Sequence, residues 1–279
     1  MLSNVLFISL ISFVNGSWFY AFEYFYFIWK QDKSFKLVLL FDEHKTLKEF
    51  LDCIDDKYDY DINCRNNFIF IKKREILKNK FKKCLIVENT SASLVYNNLI
   101  LAKNFVIISD ESSRFLFQNY NALESRKNIK IFRTRNSVYT VKILYDIFKH
   151  LKKIDGNTYV SLLSKNYIKL DVFFKLIENH IKGDLLISTK FYFNTNLSDK
   201  FKTVICSKWM PDFHKRFSRY LYIETGYDDP FPRLPYESDY YKKENFYISD
   251  TTICNYFCIK PYIEKRMSLN DPVIGEMLC

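Results

Sequence analysis

The chain has 279 residues, of which 48% are apolar, 18% aromatic and only five glycine, so disordered, collagen-like and linker-rich classes are excluded. It is long enough for one large domain or for two of about 130 residues each, either with a substantial core. A formal net charge of +10, from 42 basic and 32 acidic residues, favours polyanions or phosphate-bearing small molecules. A lysine-rich solvated surface and the codon bias implied by the excess of Lys, Asn, Ile, Phe and Tyr account for part of that charge. The densest basic runs, Lys72-Lys73-Arg74, Lys78 to Lys83 and Lys149 to Lys153, fall at expected helix or loop ends.

From the N-terminus, the apolar stretch through Phe22 superficially resembles a leader peptide. It lacks a positively charged start and continues as aromatics to Trp29, so a buried strand and helix are expected instead. Asn4, Asn15, Gly16 and several serines interrupt it, which argues against a membrane span. The expected strand is Val5 to Ile11, followed by an Asn15-Gly16 turn and a helix capped by Ser17 and running to about Trp29. Lys36 to Phe41 is the next strand, and Leu47, Phe50, Leu51 and Ile54 mark its helix by their 3/4 spacing.

Phe68 to Ile71, Leu85 to Val87, Phe105 to Ile108 and Ile129 to Phe132 read as further buried strands. A helix is expected from Asp110-Glu111 and another from Ser137 to about Lys153. Asp155-Gly156-Asn157 is the boundary candidate, dividing the chain into domains 1–154 and 155–279. Beyond it come strands at 159–163, 185–188, 202–206 and 220–223, helices at 169–182 and near 211–219, a short helix at 234–243, a strand at 246–248 and a tail that is helical in pieces. This alternation is the signature of βα units on parallel sheets. The fold class expected is α/β, with two Rossmann-like lobes, a cleft between them and a helical C-terminal tail.

Most familiar chemistries are absent. The seven cysteines are scattered, and Cys254 and Cys258 have helical spacing but no second ligand pair, so reduced thiols in a cytoplasmic protein are expected rather than a zinc site. There is no GxGxxG, GxxxxGK[ST] or GxSxG, and His44, His150, His180 and His214 are dispersed as surface or capping residues would be. Asp59-Tyr60-Asp61 has DxD spacing in a polar loop, a weak match to a metal site.

The remaining signal lies in the block from Tyr222 to Asp250, where three of the six prolines fall between Pro230 and Pro235, just after Gly226. Asp228-Asp229-Pro230, Pro232-Arg233-Leu234, Pro235-Tyr236-Glu237, Tyr240-Tyr241-Lys242-Lys243 and Phe246-Tyr247 together resemble the donor-sugar segment of GT-B glycosyltransferases. The resemblance covers about 30 residues. It implies that Glu237 accepts from the ribose hydroxyls of a nucleotide sugar, a UDP-sugar being the expected donor, and that Arg233 neutralises the diphosphate. Gly226 and Leu234 would shape that donor loop, and Ser164-Lys165, after the first strand of the second domain, would supply another phosphate ligand.

The more ordinary alternatives are that Glu237 pairs with Lys242 or Lys243, that Arg233 ties down the turn and that Lys165 is solvated. On the first domain, the Gly16-Ser17 turn would face acceptor or phosphate. Asp42 and Asp110 would be candidates for the base that deprotonates an acceptor hydroxyl, although the ordinary N-cap is the first reading of each.

The resemblance thus implies a metal-independent, nucleotide-sugar-dependent transferase with no further cofactor. The first domain would be its acceptor side and the second its donor side. By composition and size the chain is similar to virus-encoded transferases that modify hydroxymethylated bases, which makes duplex DNA a candidate partner. A non-enzymatic basic α/β module that binds nucleic acid is the alternative from another class.

Overall fold

A computed structural model describes residues 3–10, 16–87, 89–109, 120–133, 142–151, 158–163, 184–189, 204–206, 213–223, 233–249, 252–260, 262–263 and 266–279. The protein is α/β, with two six-stranded sheets and helices. It divides into two compact units, residues 1–149 with 265–279, and residues 150–264. The last segment, expected in the second domain, therefore belongs to the first unit.

The first unit is built on β1 (Asn4–Ser9), β2 (Lys36–Phe41), β3 (Phe68–Lys72), β4 (Lys80–Ile86), β5 (Leu101–Ser109) and β6 (Ile129–Arg133). They lie in the order β3-β2-β1-β4-β5-β6, and every pairing is parallel. This is the doubly wound order. Val5 to Ile8 and Leu37 to Leu40 are wholly buried, as expected of strands covered on both faces.

Helix α1 (Gly16–Gln31) packs on β1 and β2, and α2 (His44–Lys57) packs on β2. Phe22, Phe25 and Tyr26 of α1 contact Tyr58, Tyr60, Phe35 and Phe68 through ring faces and edges. On the opposite face α3 (Asn89–Tyr96) contributes Ala92 and Val95 to a core that also holds Phe7, Val38, Cys84, Ile107, Tyr120 and Leu123. No helix among the described residues is long and apolar enough to cross a membrane.

The helix expected from Ser137 to Lys153 does not form in its described part, 142–151, which holds a 3-10 turn at Tyr145–Ile147 and isolated bridges from Ile143 to Arg266 and from Tyr58 to Phe148. Tertiary bonds replace helical ones here. Leu144 N–H donates to Glu23 Oε2 at 3.1 Å, Asp59 N–H to Ile147 O at 2.6 Å and Met267 N–H to Ile143 O at 3.1 Å. Ile143, Leu144, Tyr145, Ile147 and Phe148 are all buried, which a one-faced helix could not achieve.

The closing segment of this unit ends in a helix, Pro272–Leu278, with Pro at its start and the Asp271 side chain accepting from Val273 N–H at 2.9 Å. That is the proline and N-cap chemistry a helix start requires. It packs against α1 and β5, while Lys130 Nζ reaches Glu276 Oε2 at 2.6 Å.

The second unit repeats the plan with β7 (Thr158–Leu163), β8 (Asp184–Thr189), β9 (Val204–Cys206), β10 (Arg219–Ile223), β11 (Glu244–Ile248) and β12 (Ile253–Asn255). Their order is β12-β11-β10-β7-β8-β9. All pairings are parallel except β11 with β12, which is antiparallel. β12 has no counterpart among the expected elements. It puts Cys254 on a strand and Cys258 in the following helix, Tyr256–Ile259, rather than both on one helix. The helix expected near 211–219 is a 3-10 turn at Phe213–Lys215, and β10 starts at Arg219.

Candidate functional site

In the second sheet the strand order reverses between β7 and β10, and such a switch point is where doubly wound sheets open a crevice at the strands' carboxyl ends. The register pairs Arg219 with Tyr159 and Leu221 with Ser161. Ser164 and Lys165 follow β7 and Gly226 follows β10, all three outside the described residues.

The helix that returns from β10 is α4 (Arg233–Tyr240), packed on β10 and β11. Pro235 lies in its first turn, where backbone N–H groups have no helical acceptor, so the ring costs no hydrogen bond. The helix stops at Tyr240 rather than Lys243 because Lys242 turns left-handed, φ 59°, and Lys243 N–H reaches back to Ser238 O at 2.9 Å. Leu234, the hydrophobic member of the proposed donor loop, is 8% exposed and faces the unit's interior.

Arg233 and Glu237 are one helical turn apart and meet as an i,i+4 ion pair, through Arg233 Nε and Glu237 Oε1. Arg233 is 7% exposed and Glu237 fully buried. The other carboxylate oxygen, Oε2, lies 2.7 Å from His214 Nε2, and His214 is itself 6% exposed. The His214 ring leans on Phe217 and Tyr241, with centroids 5.6 and 4.9 Å away.

Neither Lys242 nor Lys243 is the carboxylate's partner. The Lys243 ammonium instead donates to the carbonyls of His214 and Phe217 and lies 3.9 Å from the Phe217 ring centroid. Both oxygens of Glu237 are therefore held by protein cations or donors, and the carboxylate fixes Arg233 and the 3-10 turn at Phe213–Lys215 against α4. His214 was expected on the surface. Nothing local announces its burial, because its partner lies 23 residues away in sequence.

Burial pushes the Lys243 ammonium down to about 8 from its ordinary 10.5. The sign follows from linkage: between pH 8 and 10.5 the unfolded chain carries this proton and the folded unit does not, so folding gains stability as pH rises through that window. Relative to Lys243→Met, the wild type is expected to gain in urea-unfolding free energy from pH 8 to 10.5. A flat difference would contradict the assignment.

The first-unit candidates are more dispersed. Asp42 lies just beyond the carboxyl end of β2, exposed, with Lys73 Nζ 3.4 Å from its carboxylate. It does not cap α2, since Glu43 occupies the N-cap position, without a side-chain cap bond. Asp110 is outside the described residues. α1 starts at Gly16, so Ser17 is inside the helix and not its cap.

Asp61 caps the 3-10 turn at Ile62–Asn67 by accepting from Asn63 N–H at 2.9 Å, which accounts for the DxD spacing structurally. Among the described residues no group of three His, Cys, Asp or Glu side chains is gathered as a metal site would require. A cavity of about 310 Å³ opens at the amino ends of β5 and β6, lined by Val95, Leu101, Phe105, Arg126 and Ile129 among others. It lies at the end of the sheet opposite the strands' carboxyl ends. Its one cation, Arg126, donates to the Val95 and Tyr96 carbonyls that end α3. No protein-family model matches this chain, and no curated protein matches it.

Proposed function

We propose that the protein is a glycosyltransferase of GT-B type, two Rossmann-like lobes in one chain, that moves a sugar from a nucleoside diphosphate donor to a hydroxyl acceptor. The observation that carries this reading is the sheet order β12-β11-β10-β7-β8-β9: the block that resembles a donor segment follows β10 and enters α4 at the switch point. Departure of a nucleoside diphosphate develops negative charge. Fixed cations and helix N-terminal amides can hold it without proton bookkeeping.

In this reading Arg233, Lys165 and Ser164 serve the diphosphate, with Gly226 and Leu234 shaping the loop. Glu237 acts first as the anchor of Arg233, since its oxygens are occupied by Arg233 and His214, and it reaches a ribose only by giving one of them up. Asp42 or Asp110 would deprotonate the acceptor. A hydroxymethylated base in DNA is the acceptor class we favour, because the net charge of +10 would concentrate a polyanion near the protein.

Thermal shift with UDP, GDP, ADP and CDP tests the donor half. One diphosphate at 100 times its Kd stabilises the folded chain by about 2.7 kcal/mol, and Lys165→Ala is expected to weaken that binding about tenfold or more. No shift with any of the four would overturn the reading.

A further inference from the structure

Between the end of α3 and the starts of β5 and β6, the first unit opens the cavity of about 310 Å³, a size at the small end for ligand pockets. Its apolar wall lies on one face of the sheet. Val95, Ile100 and Phe105 are buried members of the core on the α3 side, and Ala102 and Ile129 pack against that core.

The polar part of the lining is built by the end of α3. The helix stops at Tyr96, and Asn98 turns left-handed, φ 56°, which reverses the chain into β5. The half-buried Arg126 guanidinium closes on this turn. Its Nη1 donates to Val95 O at 3.3 Å and to Asn98 Oδ1 at 3.0 Å, and its Nη2 donates to Tyr96 O at 3.1 Å.

A guanidinium carries five N–H donors, so among the described residues the Nε–H and one Nη2–H have no acceptor. Nε and Nη2 share one edge of the planar group, an edge that can grip a carboxylate with two parallel bonds. The Nδ2 hydrogens of Asn98, which also lines the cavity, are likewise unclaimed among the described residues. No acid in these segments competes for them, since residues 89–109 and 125–133 contain neither Asp nor Glu. The preceding Glu124 accepts from Arg133 Nε at 2.8 Å.

Capping the helix end uses three of the five donors and gives no role to the apolar wall beside them. A cationic edge next to an apolar wall matches a molecule with one charged end and a hydrocarbon body. We propose that this cavity binds an apolar monocarboxylate, a short- or medium-chain fatty acid, with its carboxylate on Arg126 and Asn98. Its alkyl chain lies against Val95, Ile100, Ala102, Phe105 and Ile129. The inference stands on the first unit alone and is independent of the donor reading.

Isothermal titration calorimetry of the full chain with butanoate, hexanoate and octanoate tests it. Affinity is expected to rise about fourfold for each methylene buried. Acetate, a head group without a tail, should not bind at the same concentrations. Octan-1-ol, a tail without the charge, should bind about tenfold or more weakly than octanoate, because the charge-assisted bonds to Arg126 are lost.

Ala102→Leu fills the cavity and leaves Arg126 in place, so octanoate should bind it about tenfold or more weakly. Arg126→Gln should weaken octanoate similarly while changing octan-1-ol little. Because Arg126 also holds the end of α3, a second readout uses the wild type: the methyl resonances of Val95, Ala102 and Ile129 should shift with octanoate, and those of Ile54, buried elsewhere in the unit, should not. No binding of any of the acids would overturn the proposal, as would an affinity that ignores chain length. So would octanoate held equally well by Ala102→Leu, or shifts confined to other methyl groups.

Discussion

Glu237→Ala is expected to destabilise the second unit by about 3–5 kcal/mol, because it removes the fully buried carboxylate that pairs with the buried Arg233 guanidinium. It also removes the acceptor 2.7 Å from His214 Nε2. At ordinary enthalpies of unfolding this lowers the melting point by on the order of 10 °C. An apolar triple replacement, Arg233→Met with Glu237→Leu and His214→Phe, should recover much of that loss, since buried ion pairs often contribute less than well-packed hydrophobic residues. The triple variant should nevertheless bind nucleoside diphosphate far more weakly than the wild type, because Arg233 is gone. A Glu237→Ala protein within 0.5 kcal/mol of wild type by urea unfolding would contradict the burial argument.

The second large effect is expected in the first unit, at Glu23. This carboxylate is fully buried on α1, accepts from Tyr58 OH at 2.5 Å and accepts from Leu144 N–H at 3.1 Å. Close by, the ammonium of buried Lys57 sits 4.4 Å from the Phe19 ring centroid and 5.3 Å from that of Phe148. Glu23 therefore ties α1 both to the end of α2 and to the extended segment around Leu144. Removing it as Glu23→Ala leaves two buried donors without this acceptor, at about 1–3 kcal/mol each, so a total loss of about 2–6 kcal/mol is expected. Glu23→Gln keeps an acceptor oxygen and should cost about half as much. Amide exchange at Leu144 should accelerate in the Ala variant in step with the lost stability, and unchanged exchange there would show that the bond does not hold the segment.

Those two carboxylates mark where sequence reading stopped. The parallel strands were legible because burial on both faces leaves continuous apolar runs, as in Val5 to Ile8 and Phe105 to Ile108. The first half of β4 was not, since Lys80, Lys82 and Lys83 alternate with Phe81 at the sheet's amino end. β12 escaped because it is a three-residue antiparallel edge. The stretch from Lys142 to Phe148 has enough apolar residues for a helix, and contacts distant in sequence, among them the acceptor on Glu23 and the bridges to Tyr58 and Arg266, hold it in another conformation.

At the candidate site, the helix was expected to begin at Leu234 and Glu237 to pair with Lys242 or Lys243, so the Arg233–Glu237 pair, which needs the helix to start one residue earlier at Arg233, was not legible. Their partner His214 could not be read, because the contact depends on how the 3-10 turn before β10 folds back on α4. Ser164, Lys165, Gly226 and Asp110 fall outside the described residues.

The most direct test of the central claim is turnover. The protein is incubated with UDP-, GDP-, ADP- and CDP-linked sugars, alone and with hydroxymethylated DNA, saccharide and peptide acceptors, while free nucleoside diphosphate is assayed and acceptors are weighed by mass spectrometry. The account predicts diphosphate release from one donor class, faster when the right acceptor is present, together with the mass of one sugar gained by that acceptor. No release above the uncatalysed rate from any donor, and no acceptor gaining mass, would contradict it.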